Sequence, residues 1–255
     1  MLTETEFYDR LAESFDVMTD WKSRLAVELP FLQATLAQYN ARSVLDCACG
    51  TGWHAIALAQ RDYKVAGSDI SPAMIARARE NAAREQVEIP FTEAGFQALR
   101  AQYPERFNAV LCLGNSLPHV LSDEAALDSL TNMHDCLNEG GVLILHNLNY
   151  DKRWREKPRW FAVNSGTLGG HATIIWRFAD YVESGIVFNI ALFTKGNADD
   201  WSVDVQSTPQ HPYQKTEIEN MLLRAGFHDL AFYGSLRGDA FDAARSGDLV
   251  VVGRA

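Results

Sequence analysis

The sequence predicts a doubly wound α/β fold, a largely parallel sheet with helices on both faces, and three observations carry that expectation. Apolar strand runs alternate with helical spacing from residue 42 to residue 148. The run at 44–55, Val-Leu-Asp-Cys-Ala-Cys-Gly-Thr-Gly-Trp-His-Ala, passes from a strand ending in Asp46 through a glycine turn into a helix. The next strand run ends in a second carboxylate, Asp69, 23 residues after Asp46. Strand, glycine turn, helix and acid-terminated strand together predict a nucleotide-cofactor loop. Gly50 and Gly52 allow a tight turn and close approach of backbone to a ligand, Ala55 keeps the helix near the strand, and the carboxylate can take both ribose hydroxyls.

Taken in order, helical spacing through Phe7, Leu11 and Phe15, and again through Trp21, Leu25, Leu29, Leu32 and Leu36, predicts an N-terminal helical cap over 1–40 that can cover a cofactor. Strands follow at 42–47, 63–69, 88–93, 107–113 and 141–148, with helices at 53–61, 72–85, 95–103 and 123–137 between them. Ser71 before Pro72 supplies a capping hydroxyl and a proline suited to the first turn. The rhythm breaks after Asp151. Residues 152–212 are rich in Trp and Gly and read as extended segments, 171–178 and 185–194, joined near Glu183-Ser-Gly185, which predicts an antiparallel insertion. A helix at 215–224 and strands around 230–234 and 248–253 return to the sheet, so the cofactor domain comprises 41–151 and 213–255.

Composition narrows the chemistry. The chain has 255 residues, 47% of them apolar and 22% charged, which is the content of a soluble globular protein. Its net charge of -10 disfavours nucleic acid, and the longest basic cluster is Lys152-Arg153-Trp154-Arg155. A small-molecule substrate fits better. The acidic start has no apolar run, so neither a signal peptide nor a membrane span is expected and the cytoplasm is the expected compartment. Cys47, Cys49, Cys112 and Cys136 show no C-x-x-C and no His at zinc spacing, so they read as buried reduced thiols and no metal site is expected.

Two cofactors compete for the turn. Gly50-Thr-Gly52-Trp-His-Ala55 satisfies the dinucleotide fingerprint of NAD proteins, yet Asp46 would meet a pyrophosphate with like charge. S-adenosylmethionine (SAM) has no phosphate and carries a sulfonium and an ammonium, both favoured by a nearby carboxylate. The order Asp46, small residue, Gly-Thr-Gly and then Asp69 resembles the motif pair of Rossmann-like, class I SAM-dependent methyltransferases. Two further segments, Phe107-Asn-Ala-Val-Leu-Cys-Leu-Gly-Asn-Ser-Leu-Pro-His119 and Gly140-Gly-Val-Leu-Ile-Leu-His-Asn-Leu-Asn-Tyr-Asp151, are similar to glycine N-methyltransferases and glycine/sarcosine methyltransferases. So is the head, Phe7-Tyr8-Asp9 through Trp21-Lys-Ser-Arg24.

The resemblance implies a seven-stranded methyltransferase sheet, SAM as cofactor with S-adenosylhomocysteine (SAH) as product, no metal, and a small-molecule acceptor that is most simply an amine. A homo-oligomer is compatible with it. Position by position, Asp46, Ala48, Gly50 and Gly52 would line the methionine and sulfonium side, and Asp69 and Ile70 the ribose and adenine. Arg24 matches the arginine that grips the cofactor carboxylate, while Trp21, Met74, Leu113 and Ser116 complete the cofactor set. Where family members have Ala-Asn-Trp this chain has Ala94-Gly95-Phe96, so Phe96 is left to pack on the purine and Gly95 offers only backbone. Tyr8, Asn115, His119 and His146 are the candidates for orienting the acceptor or removing its proton. The family's substrate-carboxylate arginine is replaced by Leu148, which disfavours glycine as acceptor unless Arg153, Arg155 or Arg177 supplies the charge. Two alternatives stay open, an O- or sugar-amine methyltransferase and a non-catalytic SAM- or NAD-binding protein.

Overall fold

The computed structural model describes residues 2–196 and 200–255. Three helices lead into the sheet: α1 (Glu4–Leu11), α2 (Phe15–Met18) and α3 (Trp21–Gln38). Thr3 and Glu6 form a reciprocal capping box at the start of α1, and the Asp20 side chain accepts the Ser23 N–H at the start of α3. The alternating region then gives β1 (Ser43–Asp46), α4 (Trp53–Ala59), β2 (Lys64–Asp69), α5 (Pro72–Arg84), β3 (Phe91–Glu93), α6 (Leu99–Gln102), β4 (Phe107–Cys112), α7 (Asp123–Asp135) and β5 (Leu137–Leu148). After it come α8 (Tyr150–Glu156), β6 (Asn164–Leu168), β7 (His171–Val182), β8 (Gly185–Lys195), β9 (Trp201–Gln210), α9 (Lys215–Arg224), β10 (His228–Tyr233) and β11 (Asp248–Arg254).

Seven strands form one sheet in the order β10-β11-β5-β4-β1-β2-β3, in which β11 alone runs against its neighbours. Both faces are apolar, as a sheet covered on two sides requires. Leu45, Val110, Cys112, Leu143, Leu145, Leu249 and Val251 face one way, toward a layer that includes Leu130 of α7 and Leu222 of α9. The residues between them, Val44, Ala109, Leu111, Ile144 and Val250, face the other way with Leu32 and Leu36 of α3 and Ile56 of α4. The period of two in these strands is therefore the reason the helices divide into two layers.

The remaining strands form the expected antiparallel insertion, a four-stranded sheet in the order β6-β7-β8-β9. The face carrying Ile175 and Ile190 packs on Phe7, Leu11 and Ala12, with Met74 of α5 in the same cluster. The first helix is thus held between α5 and the antiparallel sheet.

Several boundaries differ from the sequence reading. Strand β3 starts at Phe91 rather than 88, with Pro90, which has no N–H, contributing only its carbonyl to Gly67. The helix expected over 95–103 is a 3-10 turn at Phe96–Ala98 followed by one turn of α6. Residues 150–156, read from 152 onward as extended chain, form α8, because the Asn149 side chain accepts the Lys152 N–H and caps the first turn.

Gly52 shows why the turn needs glycine. Its φ is +86°, and a Cβ there would lie 3.0 Å from the Ala78 Cβ and 3.1 Å from Phe91. Gly52→Ala should destabilise the protein by about 1–3 kcal/mol through backbone strain and overpacking, read as a lower denaturation midpoint at unchanged m-value.

Candidate active site

At the carboxyl ends of β1 and β4 the chain order reverses, with β2 and β3 on one side and β5 on the other. In an open α/β sheet this switch point leaves a crevice. Here it is a cavity of about 680 Å³, floored by Ala48 and Gly50 after β1, Asp69 and Ile70 at the end of β2, Gly95 and Phe96 after β3, and Leu113 to Ser116 after β4. Glu4, Tyr8, Phe15, Trp21 and Arg24 of the N-terminal helices close it from above. Arg177, Phe188 and Ile190 of the antiparallel sheet, with Leu148, Arg153 and Phe161, form its far wall.

Asp69 fixes the near end. Its Oδ2 accepts the Gly50 N–H at 2.8 Å and its Oδ1 the Ser71 N–H at 3.0 Å. Burial nevertheless raises its pKa to about 6 against the pull of these two donors. Burial, and then the charge of Asp69, raise Glu4 to about 7. The same two causes in the same order raise Asp46 to about 7, and both of its oxygens are buried without a partner, the Ala48 N–H lying outside hydrogen-bonding geometry. Three carboxyl groups held above their ordinary range make this end of the cavity one that gains by admitting a cation.

The N-terminal helices are tied down by two further acids. One oxygen of Asp16 accepts Thr51 Oγ1 at 2.7 Å, Trp21 Nε1 at 2.9 Å and Trp53 Nε1 at 3.0 Å, and the other accepts Asn81 Nδ2 at 3.2 Å. Asp9 accepts the Ser71 hydroxyl at 2.5 Å and the Ala73 N–H at 3.2 Å. Deeper in, Arg24 meets Glu28 at 2.9 Å and Glu28 meets buried His54 at 2.6 Å. Burial pushes Glu28 up, but the His54 hydrogen bond and the Arg24 charge outweigh it and hold the carboxyl near about 2.

A polarised chain of hydrogen bonds runs along the acceptor side. The Leu148 N–H donates to Asn115 Oδ1 at 2.9 Å, Asn115 Nδ2 to Tyr150 Oη at 3.0 Å, and Tyr150 Oη to Gln210 Oε1 at 3.3 Å. The Gln210 amide nitrogen is thereby left as the donor to His119 Nε2 at 3.2 Å. The Tyr8 hydroxyl lies 2.9 Å from the same Nε2, and Nδ1 of the ring is buried with no partner. Burial lowers the pKa of His119 to about 4, so the ring stays neutral.

Residues 44–141 match a family model described as a methyltransferase domain. A glycine/sarcosine N-methyltransferase of Aphanothece halophytica is 29% identical over 238 residues, 92% of this chain and 84% of that protein. Another, of Parasynechococcus marenigrum, is 34% identical over 149 residues, 58% of this chain and 53% of that one, so the chain spans only about half of this second relative. Among solved structures, an S-adenosylmethionine-dependent methyltransferase of Clostridium acetobutylicum superposes with a TM-score of 0.77 at 15% identity, over 97% of this chain and 98% of that one. Residues 44–141 thus carry a methyltransferase domain, and the chain as a whole is similar to glycine/sarcosine N-methyltransferases and has the fold of class I SAM-dependent methyltransferases.

The cavity gathers most of the residues singled out in the sequence: Tyr8, Trp21, Arg24, Ala48, Gly50, Asp69, Ile70, Met74, Gly95, Phe96, Leu113, Asn115, Ser116 and His146. Three stand off its wall. Asp46 is buried behind the turn, Gly52 is turned toward α5, and His119 touches the cavity lining through the Tyr8 hydroxyl and the Gln210 amide. His146 lies at the end of β5 with Nε2 buried and unpaired, 3.7 Å from Asp248. Of the three substitute arginines, Arg153 and Arg177 line the cavity, whereas Arg155 lies outside it and donates to the Ala244 carbonyl. Trp160 stacks on Trp176 at 4.8 Å, and neither lines the cavity. Glu4, Asp9, Asp16, Glu28, His54 and Gln210 were missed. Only Glu28 leaves a trace in the sequence, a carboxylate among the apolar positions Leu25, Leu29 and Leu32 of one helix.

Removing the Asp16 carboxylate orphans two indole N–H groups and a buried threonine hydroxyl. Asp16→Ala should cost about 1–3 kcal/mol and open residues 1–20 to limited proteolysis while the sheet stays folded. Unchanged protease resistance would show that α1 and α2 are held by apolar packing alone.

Proposed function

We propose that this enzyme transfers the SAM methyl group to the nitrogen of a small-molecule amine, as the names of its glycine/sarcosine N-methyltransferase relatives suggest. The observation that carries the reading is the cavity's division, an acidic end at the glycine turn facing an oriented tyrosine hydroxyl. The unpartnered Asp46 oxygens and the raised Asp69 and Glu4 carboxyls suit the sulfonium and ammonium of SAM, and they would repel the pyrophosphate of NAD. Asp69 retains lone pairs for the ribose hydroxyls, Ile70 and Phe96 offer apolar faces to adenine, and Arg24 reaches toward Gly114 to take the cofactor carboxylate. Trp21, Ala48, Gly50, Met74, Leu113 and Ser116 complete the cofactor's surroundings.

When bound, SAM supplies an already activated methyl group, so the protein's task is alignment and exclusion of water. Tyr8 donates its proton to His119 Nε2 and so turns its oxygen lone pairs to the acceptor, where they take an N–H of the amine and aim the nitrogen lone pair. His119, neutral with a pKa near about 4, serves to hold Tyr8 and not to store a proton. Asn115 braces the same chain from β5 through the Leu148 N–H. In this reading residues 1–40 are the lid, 41–151 and 213–255 the cofactor domain, and 152–212 the acceptor cover. A cytoplasmic setting accords with there being, among the described residues, no helix long and apolar enough to cross a membrane.

Calorimetry should find SAM binding and no NAD binding, and Asp69→Ala should weaken SAM by about tenfold to several hundredfold, equivalent to roughly 1.5–3 kcal/mol. Unchanged affinity in a folded variant rejects the assignment. The sign of the pH dependence follows from the same carboxyls. Below about 6 to 7 Asp69, Asp46 and Glu4 are protonated and offer no negative charge, whereas above it they are ionised. SAM affinity should therefore rise between pH 5 and pH 8, with proton release at the low end of that range, measured by titrations in buffers of different ionisation enthalpy. Among the described residues no group of three or more His, Cys, Asp or Glu could hold a metal ion, so turnover should survive exhaustive chelation. Loss with EDTA and recovery with magnesium would favour a metal-assisted O-methyltransferase instead.

A further inference from the structure

The far wall of the cavity carries positive charge that methyl transfer to a neutral amine does not need. Arg177 lies on β7 opposite Ile190 of β8, on the face of the antiparallel sheet that packs toward α1 and the cavity. One of its terminal nitrogens donates to Asn164 Oδ1 at 3.1 Å, and its Nε is buried with no partner. Among the described residues no carboxylate pairs with it. Burial, and then the charge of Arg24, push its pKa below the usual guanidinium value. Arg153 lines the same wall, its guanidinium 4.8 Å over the Phe161 ring, and the Phe161 N–H donates to the Arg177 carbonyl at 3.1 Å.

The acids of the cavity are engaged elsewhere. Glu28 is held by Arg24 and His54, and Glu4 and Asp69 lie together at the glycine turn. A guanidinium held partly out of water with an open donor is unfavourable unless an anion completes it, and its planar fork suits a carboxylate or phosphate group. Leu148 on β5 offers nothing to such a group, so the anion must be met from the insertion.

We propose that Arg177, with Arg153 across Phe161, forms an anion subsite for the methyl acceptor, so that the acceptor is an anionic amine gripped by the antiparallel sheet rather than by β5. This rests on the methyl-transfer reading. It replaces the expectation from Leu148 alone, that a carboxylate is unwelcome, with a site that receives one from the opposite wall.

The test uses the full chain saturated with SAH in chloride-free buffer, titrated by calorimetry with acetate, inorganic phosphate and acetamide. At least one anion should bind saturably and at least tenfold tighter than acetamide. Stronger binding of acetate points to a carboxylate-bearing acceptor, and stronger binding of phosphate to a phosphate-bearing one. Arg177→Met should weaken the anion at least tenfold while SAH affinity stays within twofold, and Arg177→Lys should restore part of the loss. The inference is overturned if neither anion binds the SAH-loaded wild type, or if anion binding is indifferent to Arg177→Met. It is also overturned if SAH affinity falls with that substitution, which would assign Arg177 to the cofactor's own carboxylate. Failure of SAH to bind the wild-type protein would instead sink the methyl-transfer reading, and this inference with it.

Discussion

Asp69 accepts the Gly50 and Ser71 backbone N–H groups at 2.8 and 3.0 Å, and the arrangement above the carboxyl edge of the sheet is built around that clamp. It joins the glycine turn after β1 to the start of α5. Ser71 then passes the connection to Asp9 of α1, whose carboxylate takes the serine hydroxyl and the Ala73 N–H. Asp16 makes the parallel connection from α2 to Thr51 and Trp53. The two short helices, packed through Phe7 and Leu11, are further fixed over the switch point by charge-assisted hydrogen bonds, which are roughly twice as strong as neutral ones.

The clamp has an electrostatic cost that the proposed ligand offsets. Asp69, Glu4 and Asp46 are each held above the ordinary carboxylate range, chiefly by burial, while Glu28 a short distance away sits near about 2 because His54 and Arg24 answer its charge. The difference lies in partners and not in depth. Where the protein supplies a cation the carboxylate is settled, and where it supplies none the site is left ready for one. The Arg177 wall follows the same rule with the sign reversed. The cavity is therefore polar along its length, acidic at the glycine turn and basic at the antiparallel sheet, and a ligand pair must present its charges in that order.

Much of the fold was legible because it rests on local pattern. Strands with apolar residues on both faces, Ser71-Pro72 at the start of α5 and the glycines at positive φ are all consequences of nearest-neighbour chemistry. The floor of the cavity was legible for the same reason, since Gly50, Asp69, Gly95 and Leu113 each lie at the carboxyl end of a strand or within four residues of it. What was not legible depends on register between distant segments. Nothing near Gln210 marks it as the residue that meets His119, 91 positions earlier. Asp16 sits between Phe15 and Val17 with no motif around it, and its three donors on one oxygen come from 5, 35 and 37 residues away. Helix α8 was hidden because its apolar positions read equally well as part of an extended run, and only the Asn149 cap decides between them.

The sequence by itself determined the doubly wound sheet and the glycine turn with its acidic partner, because short-range spacing fixes where a strand must end and a helix begin, and its motifs carry the resemblance to glycine N-methyltransferases. The tertiary structure decided which charges meet. His119 lies beside the Tyr8 hydroxyl, Asp46 is buried behind the turn and off the cavity wall, and the arginine that the inserted sheet brings to the cavity is Arg177. Those outcomes depend on burial and on the register of β7 and β8 against α1, quantities that arise only when segments far apart in the chain are packed together.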